Sequence, residues 1–193
     1  MTLLSIDFER HRLENGLKVV LAPDRTVPVV ATNLWYGVGS RNEPEGKTGF
    51  AHLFEHMMFQ GSANVGKAEH FRLVSEWGGR ANGTTSQDRT NYYQVLPSHQ
   101  LALGLWLEAD RMRSLAVDEE NFENQRQTVM EERRERVDNS PYGEASVRLG
   151  EMSFSSFAYA HPVIGYWNDL ENAEFSRVRA FHRTWYRPDQ AVL

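Results

Sequence analysis

The stretch Gly49-Phe50-Ala51-His52-Leu53-Phe54-Glu55-His56-Met57-Met58-Phe59-Gln60-Gly61 constrains this chain more than any other. At about 3.6 residues per turn, His52, Glu55 and His56 share one face of a helix. Phe50, Leu53, Phe54, Met57 and Met58 form an apolar stripe opposite, and Gly49 and Gly61 bracket the segment. A helix whose only polar side is two imidazoles and a carboxylate is poorly suited to solvent and well suited to a cation. Histidines at i and i+4 can both reach one Zn²⁺ at roughly 2.0–2.1 Å. A glutamate between them lies near the open position of such a metal, where it can take a proton from water. Solvated or loosely paired side chains on a surface helix are the alternative, and the apolar flanks weigh against it.

The chain has 193 residues, enough for a single domain with a substantial core. It contains no cysteine, so disulfides and thiolate ligands are excluded and a metal must be held by His, Asp or Glu. A net charge of −5 argues against a nucleic-acid partner, which needs clustered Lys and Arg. No run of about 18 apolar residues exists, so no membrane span is expected. Residues 1–20 mix charged and apolar positions and do not read as a secretory leader. That composition fits a cytoplasmic protein; a periplasmic or secreted protein whose leader has been trimmed would look the same.

Along the chain, residues 17–21 and 27–37 read as strands and 41–47 as a loop. The helix of the motif follows over 49–59, then a second over 67–77 with Phe71, Val74 and Trp77 inward. Gly78-Gly79 breaks it, and strands follow over 80–86 and 91–96. A helix over 98–112 is succeeded by a long one that Asp118 caps and that runs to about 137. Helices over 142–154 and 174–186, then a short strand over 191–193, complete an α+β pattern with a mostly antiparallel sheet covered by helices. Trp77, Trp106 and Trp167 read as core, and Arg133, Arg134 and Arg136 as a solvated charge run. His70, His99, His161 and His182 have no partner at ligand spacing, which points to surface or structural roles.

A catalytic zinc usually takes three protein ligands and leaves a fourth position open. The long helix offers Glu131, Glu132 and Glu135. Glu132 shares a stripe with Gln125, Thr128, Val129 and Arg136, whereas Glu131 points about 100° away. A simple i,i+4 ion pair between Glu132 and Arg136 explains the same pattern, so the residues alone leave the third ligand open.

The motif at 49–61 closely resembles the zinc-site helix of the pitrilysin/insulinase peptidases, above all the bacterial, mitochondrial-processing-peptidase-like branch. Gly79-Arg80-Ala81-Asn82-Gly83-Thr84-Thr85-Ser86 with Thr90-Asn91-Tyr92-Tyr93 resembles the family's second motif, and Tyr186 to Leu193 a later one. The order His-x-x-Glu-His is that of the inverzincins. The resemblance covers essentially the whole chain. It implies the N-terminal domain of such a peptidase, and a third ligand about 75 residues past the second histidine; 75 residues separate His56 from Glu132. It further implies one Zn²⁺ held by His52, His56 and Glu132, Glu55 as general base, and peptide substrate added as a strand along Ala81, Asn82, Gly83 and Thr84. Asn82-Gly83 is also a favoured hairpin turn, though its flanks lack the alternation of a hairpin.

Two departures from the family stand out. Many members carry an acidic residue where this chain has Gln125, whose amide can still hydrogen-bond a ligand but brings no charge. Family chains are also about twice as long or more, so this one reads as the N-terminal piece of a divided or longer enzyme. Its partner would be the missing C-terminal half, a second copy or a zinc-less subunit. The expected activity is zinc-dependent cleavage of oligopeptides or targeting-type peptides; the alternative is a non-catalytic peptide-binding or scaffold subunit.

Overall fold

A computed structural model describes residues 6–193; residues 1–5, part of the stretch read for a leader, lie outside it. The elements run in the order β1 (Glu9–Arg12), β2 (Lys18–Leu21), β3 (Val29–Tyr36), α1 (Phe50–Met57), α2 (Glu69–Glu76), β4 (Arg80–Thr85), β5 (Thr90–Pro97), α3 (Leu101–Ser114) and α4 (Glu119–Arg133). There follow α5 (Gly143–Ser153), α6 (Phe157–Ala160), α7 (Trp167–Glu171), α8 (Phe175–Trp185) and β6 (Ala191–Val192). The strands form one sheet ordered β1-β2-β6-β3-β5-β4. Every pairing is antiparallel except β2 with β6. The expected α+β fold with a mostly antiparallel sheet is what the chain adopts.

Alternation along β3 sets the two faces of the sheet. Thr32, Leu34 and Tyr36 are buried, while Ala31, Asn33 and Trp35 point the other way and are exposed. Their register places Leu34 opposite Tyr92 and Thr32 opposite Gln94, so the inner face continues across β5. Helix α1 lies on this inner face. Its stripe of Phe50, Leu53, Phe54 and Met57 is essentially dry, packed in one cluster with Leu34, Tyr36, Tyr92, Phe122, Val129, Phe181 and Tyr186. Burying each such side chain contributes about 1.5–3 kcal/mol, which pins the opposite face of α1 toward the cleft.

Helix α4 begins where Asp118 accepts a hydrogen bond from Asn121 N at 2.8 Å, the cap expected from sequence. It stays regular to Arg133, and the backbone then widens into a π turn over Arg134–Asp138 where an unbroken helix was expected. Gly49 precedes α1 at φ +90°, where a Cβ would come within 2.8 Å of Ile164 O. Gly165, at φ +86°, crosses it so closely that a Cβ there would lie 2.7 Å from Gly49 Cα. Two side-chain-free positions thus let the chain after α6 pass directly over the root of α1.

The structure departs from expectation in several places. β1 pairs with β2 although its four residues are polar and exposed, so no alternation announced it. The Asn82-Gly83 turn, weighed as the alternative, does not form, in line with the expected edge strand: β4 runs straight through both residues, and the hairpin reverses at residues 86–89. Trp77 and Trp106 are 50% and 44% exposed rather than core, because α2 and α3 bury only Val74 and Leu107 in a small second cluster. Arg133 is buried, with its Nη1 donating to Gly165 O at 2.8 Å, instead of solvated.

Candidate metal centre

His52 and His56 rise from successive turns of α1, and α4 packs beside them so that Glu132 faces both rings. The Nε2 atoms of His52 and His56 lie 3.7 Å and 3.2 Å from Glu132 Oε2. One donor atom from each of the three residues falls within 4.8 Å of the others, the one such group among the described residues. The two imidazoles stand nearly perpendicular, with centroids 4.8 Å apart. Burial, with the neighbouring His56 and Arg136, pushes the His52 pKa down to about 4, so its ring is neutral at physiological pH. The hydrogen bond with His56 holds Glu132 below its ordinary value, and the charges of His52, His56 and Arg136 act in the same direction. Glu132 also takes the expected ion pair with Arg136, at 2.6 Å.

The donor set suits zinc. Two imidazoles, that of His52 held neutral, and one ionised carboxylate converge, with no thiolate in reach, and that is a known catalytic ligand set. His52 Nδ1 is buried with no hydrogen-bond partner among the described residues. Gln125 is buried nearby on α4, but its amide donates to Asn124 Oδ1 at 2.7 Å and to neither histidine.

Glu55 sits one step around α1, and its Oε2 accepts from Thr85 Oγ1 at 2.5 Å. Burial pushes its carboxyl above the ordinary value, against the opposing pull of the Thr85 hydroxyl. β4 lies directly alongside: a Cβ on Gly83 would come within 3.0 Å of Glu55 Cγ. These groups line a cleft of about 580 Å³ with Asn82, Gly83, Thr84 and Thr85 on one side and Arg136, Val137, Val163 and Ile164 on the other. Of the residues expected along the strand, Ala81 lies just beyond this lining.

The sequence profile described as "Insulinase (Peptidase family M16)" matches residues 18–163. The chain belongs to the insulinase family of peptidases. Among family relatives, "Zinc protease PqqE" of Helicobacter pylori is 37% identical over 186 residues, covering 96% of this chain and 42% of its own length. A solved protease from Helicobacter pylori superposes with a TM-score of 0.94 at 36% identity, over 97% of this chain and 45% of that one. Pitrilysin shares the fold, with a TM-score of 0.80 at 23% identity over 97% of this chain and 20% of its own. The chain thus spans less than half the length of the relatives it matches.

Two features of the site carry little or no signal in the sequence. Thr85 stands in the second motif, but nothing local tells that its hydroxyl reaches Glu55. Val163 and Ile164 reach the cleft only because Gly49 and Gly165 cross. Arg136 stays largely exposed, as its charge run suggested, and makes at the cleft wall the i,i+4 ion pair with Glu132 that the spacing anticipated.

Proposed function

We propose that this chain supplies the metal-holding and proton-transferring part of a zinc endopeptidase that cuts oligopeptides or targeting-type peptides. The observation that carries this reading is the convergence of His52, His56 and Glu132 beside Glu55, on the flank of an open sheet edge. His52, His56 and Glu132 hold one Zn²⁺. When bound, zinc supplies a Lewis acid that acidifies water and polarises a carbonyl oxygen. Glu55, oriented by Thr85, accepts the proton of the attacking water and delivers it to the leaving amine. Its raised affinity for protons suits both halves of that task.

The peptide is gripped by β4, which ends the sheet with only β5 as partner among the described residues. Ser86 N donates to Arg89 O, which fixes the phase of the antiparallel ladder. Stepping back along the register, Thr84 and Asn82 face β5, while the backbone groups of Ala81, Gly83 and Thr85 face outward. An extended peptide adds there through main-chain hydrogen bonds, a sequence-tolerant mode of capture. Gly83 N is meanwhile occupied by Asn82 Oδ1 at 2.9 Å, so the Asn82 side chain swings aside on binding. Thr84 takes a smaller part, because its carbonyl and hydroxyl are held by Arg89. The remainder of a relative-length protein, a second copy or a zinc-less subunit closes the cleft.

The test is zinc per protein after exhaustive dialysis, for wild type and Glu132→Ala, together with cleavage of a quenched peptide by wild type and Glu55→Gln. About one retained zinc, lost in Glu132→Ala, and cleavage lost in Glu55→Gln with zinc kept, are the expected results. Folded wild type that holds no zinc overturns the reading and favours a scaffold subunit.

A further inference from the structure

Helix α1 has no cap of its own. Gly49 carries no side chain to satisfy the first N–H groups, and these are orphan donors in any helix. Glu43 does the work from outside. Its Oε2 accepts from Gly49 N at 2.8 Å and its Oε1 from Ala51 N at 2.7 Å. The carboxylate also sits at the positive end of the α1 dipole. The same Oε2 meets His161 Nε2 at 3.1 Å, and both side chains are fully buried. His161 is in turn fixed from behind: its Nδ1 lies 2.7 Å from Phe157 O, and its ring stacks on Phe157 at 4.6 Å.

A carbonyl oxygen brings no proton, so His161 Nδ1 must be the donor to Phe157. One proton is then left to bridge Nε2 and Oε2, and the bond is complete on whichever atom it resides. A buried carboxyl with three donors around it is costly to disturb, because removing any one leaves a desolvated acceptor unpaired. Phe157 and His161 belong to the segment that continues through Val163 and Ile164, which wall the cleft, to Gly165, which crosses Gly49.

We infer that Glu43 and His161 are positioning residues, forming a latch that locks the first turn of the helix bearing His52 and His56 to the 157–165 segment walling the cleft. This inference rests on the metal-site reading above. Without the latch, the first turn of α1 loses its remote cap and the wall loses its anchor. His52 stands one residue past Ala51, so the fixed turn sets where its ring is presented. The role is distinct from that of the ligands, since neither residue reaches the metal-facing atoms.

The test uses the intact protein with zinc affinity read by chelator competition, kcat and KM on a quenched peptide, and thermal melting of the zinc-free form. His161→Leu removes the donor and strands the Glu43 carboxyl; zinc binding is expected to weaken about tenfold, as for other groups that orient ligands. His161→Gln offers an amide N–H to Glu43 and is expected to restore affinity to within about threefold of wild type. Glu43→Gln, which turns an amide N–H₂ toward backbone donors, is expected to match His161→Leu in affinity and to raise KM more than it lowers kcat. The imidazole N–H of His161 is expected downfield in the proton spectrum of the wild type and absent from that position in Glu43→Gln. Wild-type zinc affinity in folded His161→Leu and Glu43→Gln overturns the latch while leaving the metal site standing. A loss in His161→Leu that His161→Gln does not rescue, or that follows the drop in melting temperature alone, overturns it as well. Wild type that binds no zinc overturns the metal-site reading itself, and the latch with it.

Discussion

Two buried polar clusters lie on the same face of the sheet, and they differ in what they leave unfinished. Around α3, His70 meets Gln94 Oε1 at 3.0 Å, Gln94 donates to Gly104 O at 2.8 Å, and Arg111 pairs with Glu108 at 2.5 Å. The Arg111 guanidinium also lies over Tyr92 and Phe59, at 4.5 Å and 5.2 Å. These groups bond mainly to one another and to ring faces, although Arg111 Nη1, like His52 Nδ1, is buried with no hydrogen-bond partner among the described residues. Around α1, by contrast, two imidazoles and a carboxylate aim at a common point, and the cluster opens on a cleft. Histidine burial is common to both. Convergence on a shared, open point separates a site from a brace.

Substitutions can break or sharpen that contrast. The largest effect is expected at Glu55: Glu55→Gln should lower peptide cleavage by about 10²–10⁴-fold with zinc content unchanged. Arg111→Met strands Glu108 in the brace and should cost about 3–5 kcal/mol of stability by denaturant unfolding, yet leave the zinc affinity of the folded protein intact. A loss of zinc in Arg111→Met would show that the two clusters are one unit. Glu132→Ala should do the reverse, weakening zinc binding by about 100-fold or more with a modest change in stability. Thr85→Val should reduce kcat by about tenfold and spare zinc binding, since it removes one hydrogen bond to the base.

A further comparison is a pH dependence. Burial, reinforced by Arg111, pushes the His70 pKa down to about 3. A histidine lowered on folding binds fewer protons in the native state, so its contribution to stability is complete above about pH 6.5 and lost as pH falls toward about 3. Melting temperature should therefore decline across that acid range, and nuclear magnetic resonance should find the His70 ring neutral throughout most of it. A His70 ring that titrates near 6.5 would mean the brace is as open as the site.

The sequence made the centre of this molecule legible and its periphery opaque, for physical reasons. The α1 stripe and its polar face follow one helical period over two turns, and Asp118 is a local cap. Both signals are complete within a few residues. Glu132 is different: wheel geometry admitted more than one glutamate, and only the family spacing singled it out. β1 has no apolar residue to alternate, and α6 and α7 are too short to show a period. Glu43 and His161 are 118 residues apart, so no window on the chain could hold both. Trp77 and Trp106 misled because size and apolarity favour burial on average, while a thin helical layer leaves outward positions in water.

Gly83 gives the cleft a property that its chemistry alone would not. With only a hydrogen where a side chain would stand, β4 runs against Glu55 and Phe59, so the strand proposed to grip peptide and the proposed base are fixed in one frame. A peptide paired to such a strand cannot slip by one residue without turning its side chains to the opposite face. It can slip by two, a slide of about 6.6 Å that restores every backbone contact. On the proposed function the strand serves as a ruler with a two-residue graduation, and the expected signature is a product ladder whose rungs are dipeptides apart.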